Sequence, residues 1–241
     1  MSFTTKIADK IIQINHLYPE TIHFFQDYIV ENESTDLSIN CSQEDIVLEN
    51  QQCQEQAFSP AYLETLAILR KISDIFPRHY RFLMHGASIA YEGKAFLFTA
   101  PSGTGKSTHI RLWKKYIGDK VKIVNGDKPF VSLDNGKFFI YGTPWAGKER
   151  WQRNCREELH GICVVQRGLT NTIREATAEE ALSILLKQIY IPTEATSVAF
   201  TLEFLDQLIK KIPIYILTCD ISESAVQCSF EKLTGLNYPV K

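Results

Sequence analysis

The clearest hydrophobic periodicity in the first third of the chain is helical. Apolar side chains recur on one helical face at Tyr62, Leu66, Leu69, Ile72 and Phe76. Ser59 is a suitable N-cap, Pro60 suits the first helical position, and Pro77 ends the run. The pattern predicts a helix that joins a small N-terminal α+β unit, residues 1–79, to the rest of the chain.

From about Phe82 onward, short apolar strands alternate with amphipathic helices. The pattern predicts strands at residues 88–91, 95–100, 120–124, 130–133, 137–141, 161–166 and 213–219. Helices are predicted at residues 106–117, 178–190, 201–211 and 222–233. This alternation indicates the α/β class, with a mixed sheet and flanking helices over residues 80–241.

Composition narrows the range of partners and compartments. Apolar residues make up 44% of the 241 residues and charged residues 22%, as in ordinary globular proteins. The net charge of −2 provides no general positive field, so neither nucleic acid nor an anionic membrane is an expected partner. The six cysteines form no C-x-x-C pair, and the first ten residues do not resemble a secretory signal. We therefore expect a cytoplasmic protein.

The strongest chemical signal is a glycine-rich segment between a predicted strand and a predicted helix. Residues 100–108 read Ala-Pro-Ser-Gly-Thr-Gly-Lys-Ser-Thr, which fits the P-loop pattern with alanine in place of the first glycine. In such a loop the backbone N–H groups face phosphate oxygens, the lysine reaches the β- and γ-phosphates, and the serine hydroxyl binds Mg²⁺. The predicted nucleotide-binding residues are Ser102, Gly103, Thr104, Gly105, Lys106, Ser107 and Thr108.

A carboxylate at a neighbouring strand end completes the predicted metal site. Asp127 follows the strand at residues 120–124, so we expect Ser107 and Asp127 to hold Mg²⁺. An Asn-Gly-Asp turn without a ligand is the alternative. The chain lacks the Asn-Lys-x-Asp motif of guanine-specific proteins, so ATP is the expected nucleotide.

The order of these motifs resembles the catalytic domain of HPr kinase/phosphorylases and the nucleotide domain of phosphoenolpyruvate carboxykinases. His85-Gly86, the Glu92-Gly93 turn and the loop at residues 102–107 follow one another at that family's spacing. The chain is also similar to less-characterised HPr-kinase-like proteins, some of them associated with modified-peptide biosynthesis. The resemblance implies a catalytic His85 near the phosphates, beside Lys106 and Asp127.

Two positions depart from the family's pattern. Thr108 stands where those kinases carry a glutamate, and Gly126 replaces the first of two adjacent aspartates. Since that aspartate is the family's general base, its role here falls to Asp127, His85 or Glu149. The resemblance does not extend to the family's phosphorylase signature.

The glycine-bounded segment at residues 142–147 leads into the charged residues Lys148, Glu149, Arg150 and Arg153. It has two readings: a lid or acceptor-binding loop, or a charged turn with Trp145 or Trp151 in the core. Arg167 and Arg174 are expected on the surface.

The expected function is an ATP-dependent kinase that phosphorylates a serine or threonine of a small protein or peptide. A small-molecule kinase and a non-catalytic ATP-binding subunit are the alternatives, and Gly126 favours the second. The sequence leaves open whether the protein forms a homo-oligomer.

Overall fold

The structure, a computed structural model, describes residues 1–53 and 57–239. Within these residues the chain begins with a three-stranded sheet, in which β1 and β2 are antiparallel and β3 runs parallel to β2. Its strands are β1 (Ser2–Ile7), β2 (Lys10–Asn15) and β3 (Leu37–Asn40). The helices of this part are α1 (Glu20–Phe24), α2 (Gln43–Gln52) and α3 (Pro60–Ile75).

Helix α3 is the long helix that the periodicity predicts. Ser59 caps it by accepting a hydrogen bond from the Tyr62 N–H at 3.2 Å, and Pro60 occupies its first turn. Leu63, Ile68 and Ile72 are buried against the first sheet and its neighbours. The helix therefore forms for the reasons read from the sequence.

The rest of the described chain is built around a nine-stranded mixed sheet. Its strands are β4 (Arg81–Leu83), β5 (Ala87–Tyr91), β6 (Lys94–Thr99), β7 (Val121–Asn125), β8 (Phe130–Asp134), β9 (Lys137–Tyr141), β10 (Arg156–Arg167), β11 (Thr172–Glu175) and β12 (Ile214–Cys219). The accompanying helices are α4 (Lys106–Ile117), α5 (Ala178–Leu185), α6 (Ala195–Lys211) and α7 (Glu223–Thr234). β6, β10 and β12 are parallel neighbours, and the other pairings are antiparallel.

Helices cover both faces of this sheet. Ala95 and Leu97 of β6 belong to the hydrophobic cluster of α5 and α6, whereas Phe96 and Phe98 belong to that of α4 and α7. This alternation follows from the two-residue period of a strand. The predicted α/β fold, a mixed sheet with flanking helices, is confirmed.

The boundaries of several elements differ from the prediction. α5 ends at Leu185 instead of residue 190, because the chain then turns to pair with β4, where the Tyr190 N–H donates to the Leu83 carbonyl at 2.9 Å. α6 begins six residues earlier than predicted and β10 five residues earlier, and β4 and β11 were not predicted. The early end of α5 matters most, since it brings Gln188 to the sheet edge.

The N-terminal sheet and α3 share a hydrophobic cluster with the large sheet. The rings of Phe76 and Phe130 lie 4.8 Å apart, and the buried Trp145 packs edge-on against Phe25 at 5.3 Å. The Trp145 indole N–H donates to the Thr65 carbonyl at 3.0 Å. The division between residues 1–79 and 80–241 stays a prediction, because side chains from both parts pack together.

None of the helices in residues 1–53 and 57–239 has the length and apolar character that crossing a bilayer requires.

We predict that Glu64→Ala destabilises the protein strongly. Glu64 is fully buried in α3, and its carboxylate accepts hydrogen bonds from the Leu17 N–H at 2.6 Å, the Tyr18 N–H at 3.2 Å and the Thr21 hydroxyl. Alanine leaves these buried donors without an acceptor, which costs about 3 kcal/mol of unfolding free energy. Denaturant unfolding measures the loss. The exposed Glu203→Ala is the control, with an expected change below about 0.5 kcal/mol, and equal effects of the two variants would refute the prediction.

Candidate functional site

The segment between β6 and α4 forms a tight loop that suits an anion. Gly103 and Gly105 have φ angles of +76° and +126°, a region that side-chain-bearing residues rarely adopt. Gly105 is also the N-cap residue of α4, and no side chain of the described residues caps the first turn there. The backbone N–H groups of this turn and the positive end of the helix are therefore available to a phosphate.

Lys106 lies at the centre of the loop. It is buried, and its ammonium donates to the carbonyls of Ala100 at 2.9 Å and Pro101 at 3.4 Å. Burial lowers the pKa of this ammonium, and the negative charge of Asp127 opposes the shift. The loop thus surrounds a cation at the position where the sequence predicts the β- and γ-phosphates.

The structure brings together His85 and Asp127, two of the predicted catalytic residues. His85 Nε2 lies 3.5 Å from Asp127 Oδ1, and His85 Nδ1 lies 3.0 Å from Oε1 of Gln188. Two backbone hydrogen bonds also join these segments. The Gly86 N–H donates to the Asp127 carbonyl at 2.8 Å, and the His85 N–H donates to the Gln188 carbonyl at 2.7 Å. Burial, assisted by the positive charge of Lys106, lowers the pKa of His85, whereas Asp127 raises it.

A buried asparagine builds the turn that carries Asp127. The Asn125 side chain is fully buried, and its Oδ1 accepts from the N–H groups of Asp127 at 2.9 Å and Lys128 at 2.8 Å. Its Nδ2 donates to the Thr143 carbonyl at 3.0 Å. The Asn-Gly-Asp sequence is therefore a side-chain-stabilised turn that also presents a carboxylate, so the two readings of this motif are compatible.

Gly126 has no space for a side chain, and therefore none for the aspartate of the kinase pattern that the sequence resembles. A Cβ at this position would lie 2.6 Å from the Ala146 carbonyl oxygen. The neighbouring Gly147 packs on the same turn, where a Cβ would lie 3.1 Å from Cβ of Asp127. The close packing of the segment at residues 142–147 against this strand end therefore explains why position 126 carries no aspartate.

That segment is held by its tryptophan. Trp145 is buried, as one of the two readings of the segment expects, and Trp151 is half-buried. Glu149 forms an exposed ion pair with Arg111 at 3.2 Å. Arg150 lines a cavity that also contains Asp127. Of the charged residues after the segment, Arg150 is therefore the one placed to face a ligand at the site.

Arg167 is a surface residue, as expected, and it also forms hydrogen bonds with the loop. It stands at the end of β10, and its guanidinium donates to the carbonyl oxygens of Thr104 at 3.0 Å and Gly103. These bonds hold the glycine turn from the outside. The sequence contains no signal for this contact, because it joins residues more than sixty positions apart.

A cavity of about 310 Å³ opens beside the first turn of α4, and we call it the α4–β12 cavity. Its lining includes Thr108, His109, Leu112, Asp220 and Ile221. Ile221 is 76% exposed, an unusual state for a large apolar side chain at the rim of a cavity. Thr104 and Gly105 of the loop also line this cavity, so it adjoins the expected phosphate position.

His109 gives the α4–β12 cavity an unused polar atom. The ring is 2% exposed, and burial lowers its pKa to about 4, so it is neutral at pH 7. Nε2 contacts the Ser229 hydroxyl at 2.9 Å, while buried Nδ1 has no partner among the described residues. A buried nitrogen without a partner is costly, and a ligand or a water molecule can satisfy it.

The residues present fit a divalent cation only together with phosphates. Within residues 1–53 and 57–239, no group of three or more His, Cys, Asp or Glu side chains could hold a metal ion alone. Ser107 lies in the first turn of α4 next to Lys106, and Asp127 supplies a hard oxygen ligand. This donor set matches Mg²⁺, which binds through one or two protein oxygens, phosphate oxygens and water.

Comparisons with known proteins give only distant similarities, all of them to solved structures. No protein-family description and no curated protein matches the chain. Among solved structures, the chain is similar to an Hpr(Ser) kinase/phosphatase from Coxiella burnetii, with 12% sequence identity and a TM-score of 0.36. The similarity covers 64% of this chain and 93% of that chain. At this TM-score one structure does not assign an activity to the other, so the chemistry must follow from the site's own residues.

We predict that Arg167→Ala weakens nucleotide binding. Losing the two charge-assisted bonds to the loop carbonyls costs about 1–2 kcal/mol, which raises the dissociation constant of ATP·Mg²⁺ by about tenfold. Isothermal titration calorimetry measures the change. Arg174→Ala is the matched control, because this exposed arginine pairs with Glu180 and does not touch the loop. An unchanged dissociation constant for Arg167→Ala would show that the hydrogen bonds from Arg167 to the loop do not contribute to nucleotide binding.

We predict that Gly126→Ala destabilises the fold, because its methyl group meets the Ala146 carbonyl. Overpacking of this kind costs about 1–3 kcal/mol, which a denaturant titration measures. Gly136→Asn is the control, since this turn glycine has open space around it and asparagine tolerates its φ of +78°. A loss no larger than that of the control would mean that the segment at residues 142–147 moves aside easily.

Proposed function

We propose that this protein is an ATP-dependent phosphotransferase that transfers the γ-phosphoryl group to a hydroxyl. The observation that carries the proposal is the position of the His85–Asp127 pair. The positive charge of Lys106 lowers the pKa of His85, and the negative charge of Asp127 raises the pKa of Lys106. The loop and the His85–Asp127 pair are therefore close enough to interact electrostatically. Nucleotide binding alone needs the lysine and a Mg²⁺-binding carboxylate, whereas a histidine beside that carboxylate suits proton transfer.

In this proposal the loop binds the triphosphate through backbone N–H groups and one ammonium. Lys106 exchanges its bonds with the Ala100 and Pro101 carbonyls for the β- and γ-phosphates. The N–H groups come from Ser102, Gly103, Thr104, Gly105 and Thr108. Ser107 and Asp127 would hold Mg²⁺, which would neutralise negative charge on the phosphate oxygens.

The transfer step needs a group that accepts the hydroxyl proton. The bond between the acceptor oxygen and the γ-phosphorus forms while the bond to the β,γ-bridging oxygen breaks, and ADP leaves with the electron pair. The proton passes to the His85–Asp127 pair, in which His85 Nε2 and Asp127 Oδ1 lie 3.5 Å apart. Glu149, the third sequence candidate, is occupied by Arg111.

By resemblance, the proposed acceptor is a serine or threonine of a small protein or peptide. A non-catalytic ATP-binding subunit is the second candidate, and the observation that favours it is Gly126. The structure gives this glycine no space for a side chain, so the first of the two aspartates in the similar kinases does not fit at this position. The two candidates differ in turnover, which can be measured.

We predict that Lys106→Ala abolishes labelling of the acceptor. The purified protein is incubated with γ-labelled ATP and Mg²⁺ in lysate from its own source, and protein, peptide and small-molecule fractions are separated. The lost charge-assisted bonds weaken ATP binding by about 10–100-fold. Lys114→Ala is the control, because this lysine lies on the same helix and pairs with the exposed Asp119 at 2.8 Å.

Each outcome selects one function. Label on a polypeptide that disappears with Lys106→Ala, but not with Lys114→Ala, supports the proposed kinase. Label on a metabolite replaces the acceptor class with a small molecule. Tight ATP binding without label in any fraction rejects the phosphotransferase and supports the binding subunit.

A further inference from the structure

Two open cavities flank the His85–Asp127 pair. The first has a volume of about 420 Å³ and lies between the N-terminal helices and the large sheet; we call it the α2–α3 cavity. Glu49 and Arg70 line it from the helices, and His85 and Lys187 line it from the side of the large sheet. It therefore reaches the proposed catalytic histidine from the outside.

The second cavity, of about 410 Å³, is the Trp145 cavity. Its wall includes Tyr62, Trp145 and Asp127, and its rim carries the exposed acidic residues Glu20 and Asp27. This cavity reaches the other member of the catalytic pair. It contains none of the loop residues 100–108.

The two cavities meet at Leu66 and Lys128, which line both of them. His85 opens into one cavity and Asp127 into the other, and the two side chains are 3.5 Å apart. A hydroxyl that approaches both side chains must therefore lie at this junction. The molecule that carries it has room on both sides of the hydroxyl, which is the situation of a residue within an extended chain.

The charges of the two cavities differ. Lys128 and Lys187 make no ion pair with any residue of the described chain, and Arg70 in the same cavity is paired with Glu49. The α2–α3 cavity thus has three cationic side chains and one anionic side chain. The Trp145 cavity is more acidic, since Glu20, Asp27 and Asp127 line it together with the cations Lys128 and Arg150.

We propose that the acceptor is an extended polypeptide segment that crosses both cavities, with its hydroxyl residue at the Leu66–Lys128 junction and an acidic residue in the α2–α3 cavity. This inference rests on the proposed kinase function and names the acceptor's shape and charge. Charge complementarity selects the acidic residue, because Lys128 and Lys187 line the α2–α3 cavity and have no ion-pair partner among residues 1–53 and 57–239. A small metabolite would fill one closed pocket, as most small-molecule sites require, and would leave the other cavity without use.

A peptide library tests the proposal. The wild-type protein phosphorylates short peptides with a fixed central serine and degenerate flanks, using γ-labelled ATP and Mg²⁺, and the labelled pool is sequenced. We expect enrichment of Asp and Glu on one side of the serine by about fivefold. Lys187→Glu, a change at an exposed residue, should remove this enrichment and favour Lys and Arg at the same positions.

Lys115→Glu is the control, because Lys115 is exposed on α4 and lines neither cavity. Its selection should equal that of the wild type. Labelled peptides without charge selection, or with the same selection in Lys187→Glu, overturn the two-cavity inference and leave the kinase function in place. Label on metabolites in lysate but on no library peptide overturns the inference and the polypeptide acceptor together. Tight ATP binding with no label in either assay overturns the kinase function itself.

Discussion

The candidate site depends on the hydrogen bonds of one buried amide. Asn125 is fully buried at the end of β7, and its side chain binds the backbone of Asp127, Lys128 and Thr143. A buried amide that lost these partners would be costly, so the turn has essentially one conformation. Through it the strand end fixes a carboxylate, a lysine and the segment at residues 142–147 in one arrangement.

That arrangement also explains how the N-terminal part takes part in the site. The segment fixed by Thr143 carries Trp145 into the aromatic cluster of Phe24 and Phe25, where its N–H reaches α3. α3 then contributes Leu66 to the junction of the two cavities. The N-terminal part thus lines both the α2–α3 cavity and the Trp145 cavity, which the proposed acceptor would cross. The same packing excludes a side chain at Gly126, where a Cβ would meet the Ala146 carbonyl.

The nucleotide side of the site is constructed differently. Here local conformation dominates, since two glycines with positive φ angles and the start of α4 create the anion pocket. Tertiary contacts refine it: Arg167 holds the turn from β10, and Gln188 orients His85 from the chain that follows α5. The proposed phosphate pocket is thus preorganised by local conformation, whereas the α2–α3 and Trp145 cavities are formed by distant parts of the chain.

Features that depend on neighbouring residues could be predicted from the sequence. Helix α3 with its Ser59 cap, the glycine-rich loop, helix α4 and the strands β8 and β9 follow from capping, glycine conformation and short-range periodicity. Three contacts follow only from the packing of the folded chain: Gln188 with His85, Arg167 with the loop, and the Ala146 carbonyl with Gly126. These contacts join residues up to about a hundred positions apart, and their geometry depends on how the sheet and its connections pack. Local patterns carry no information about that packing.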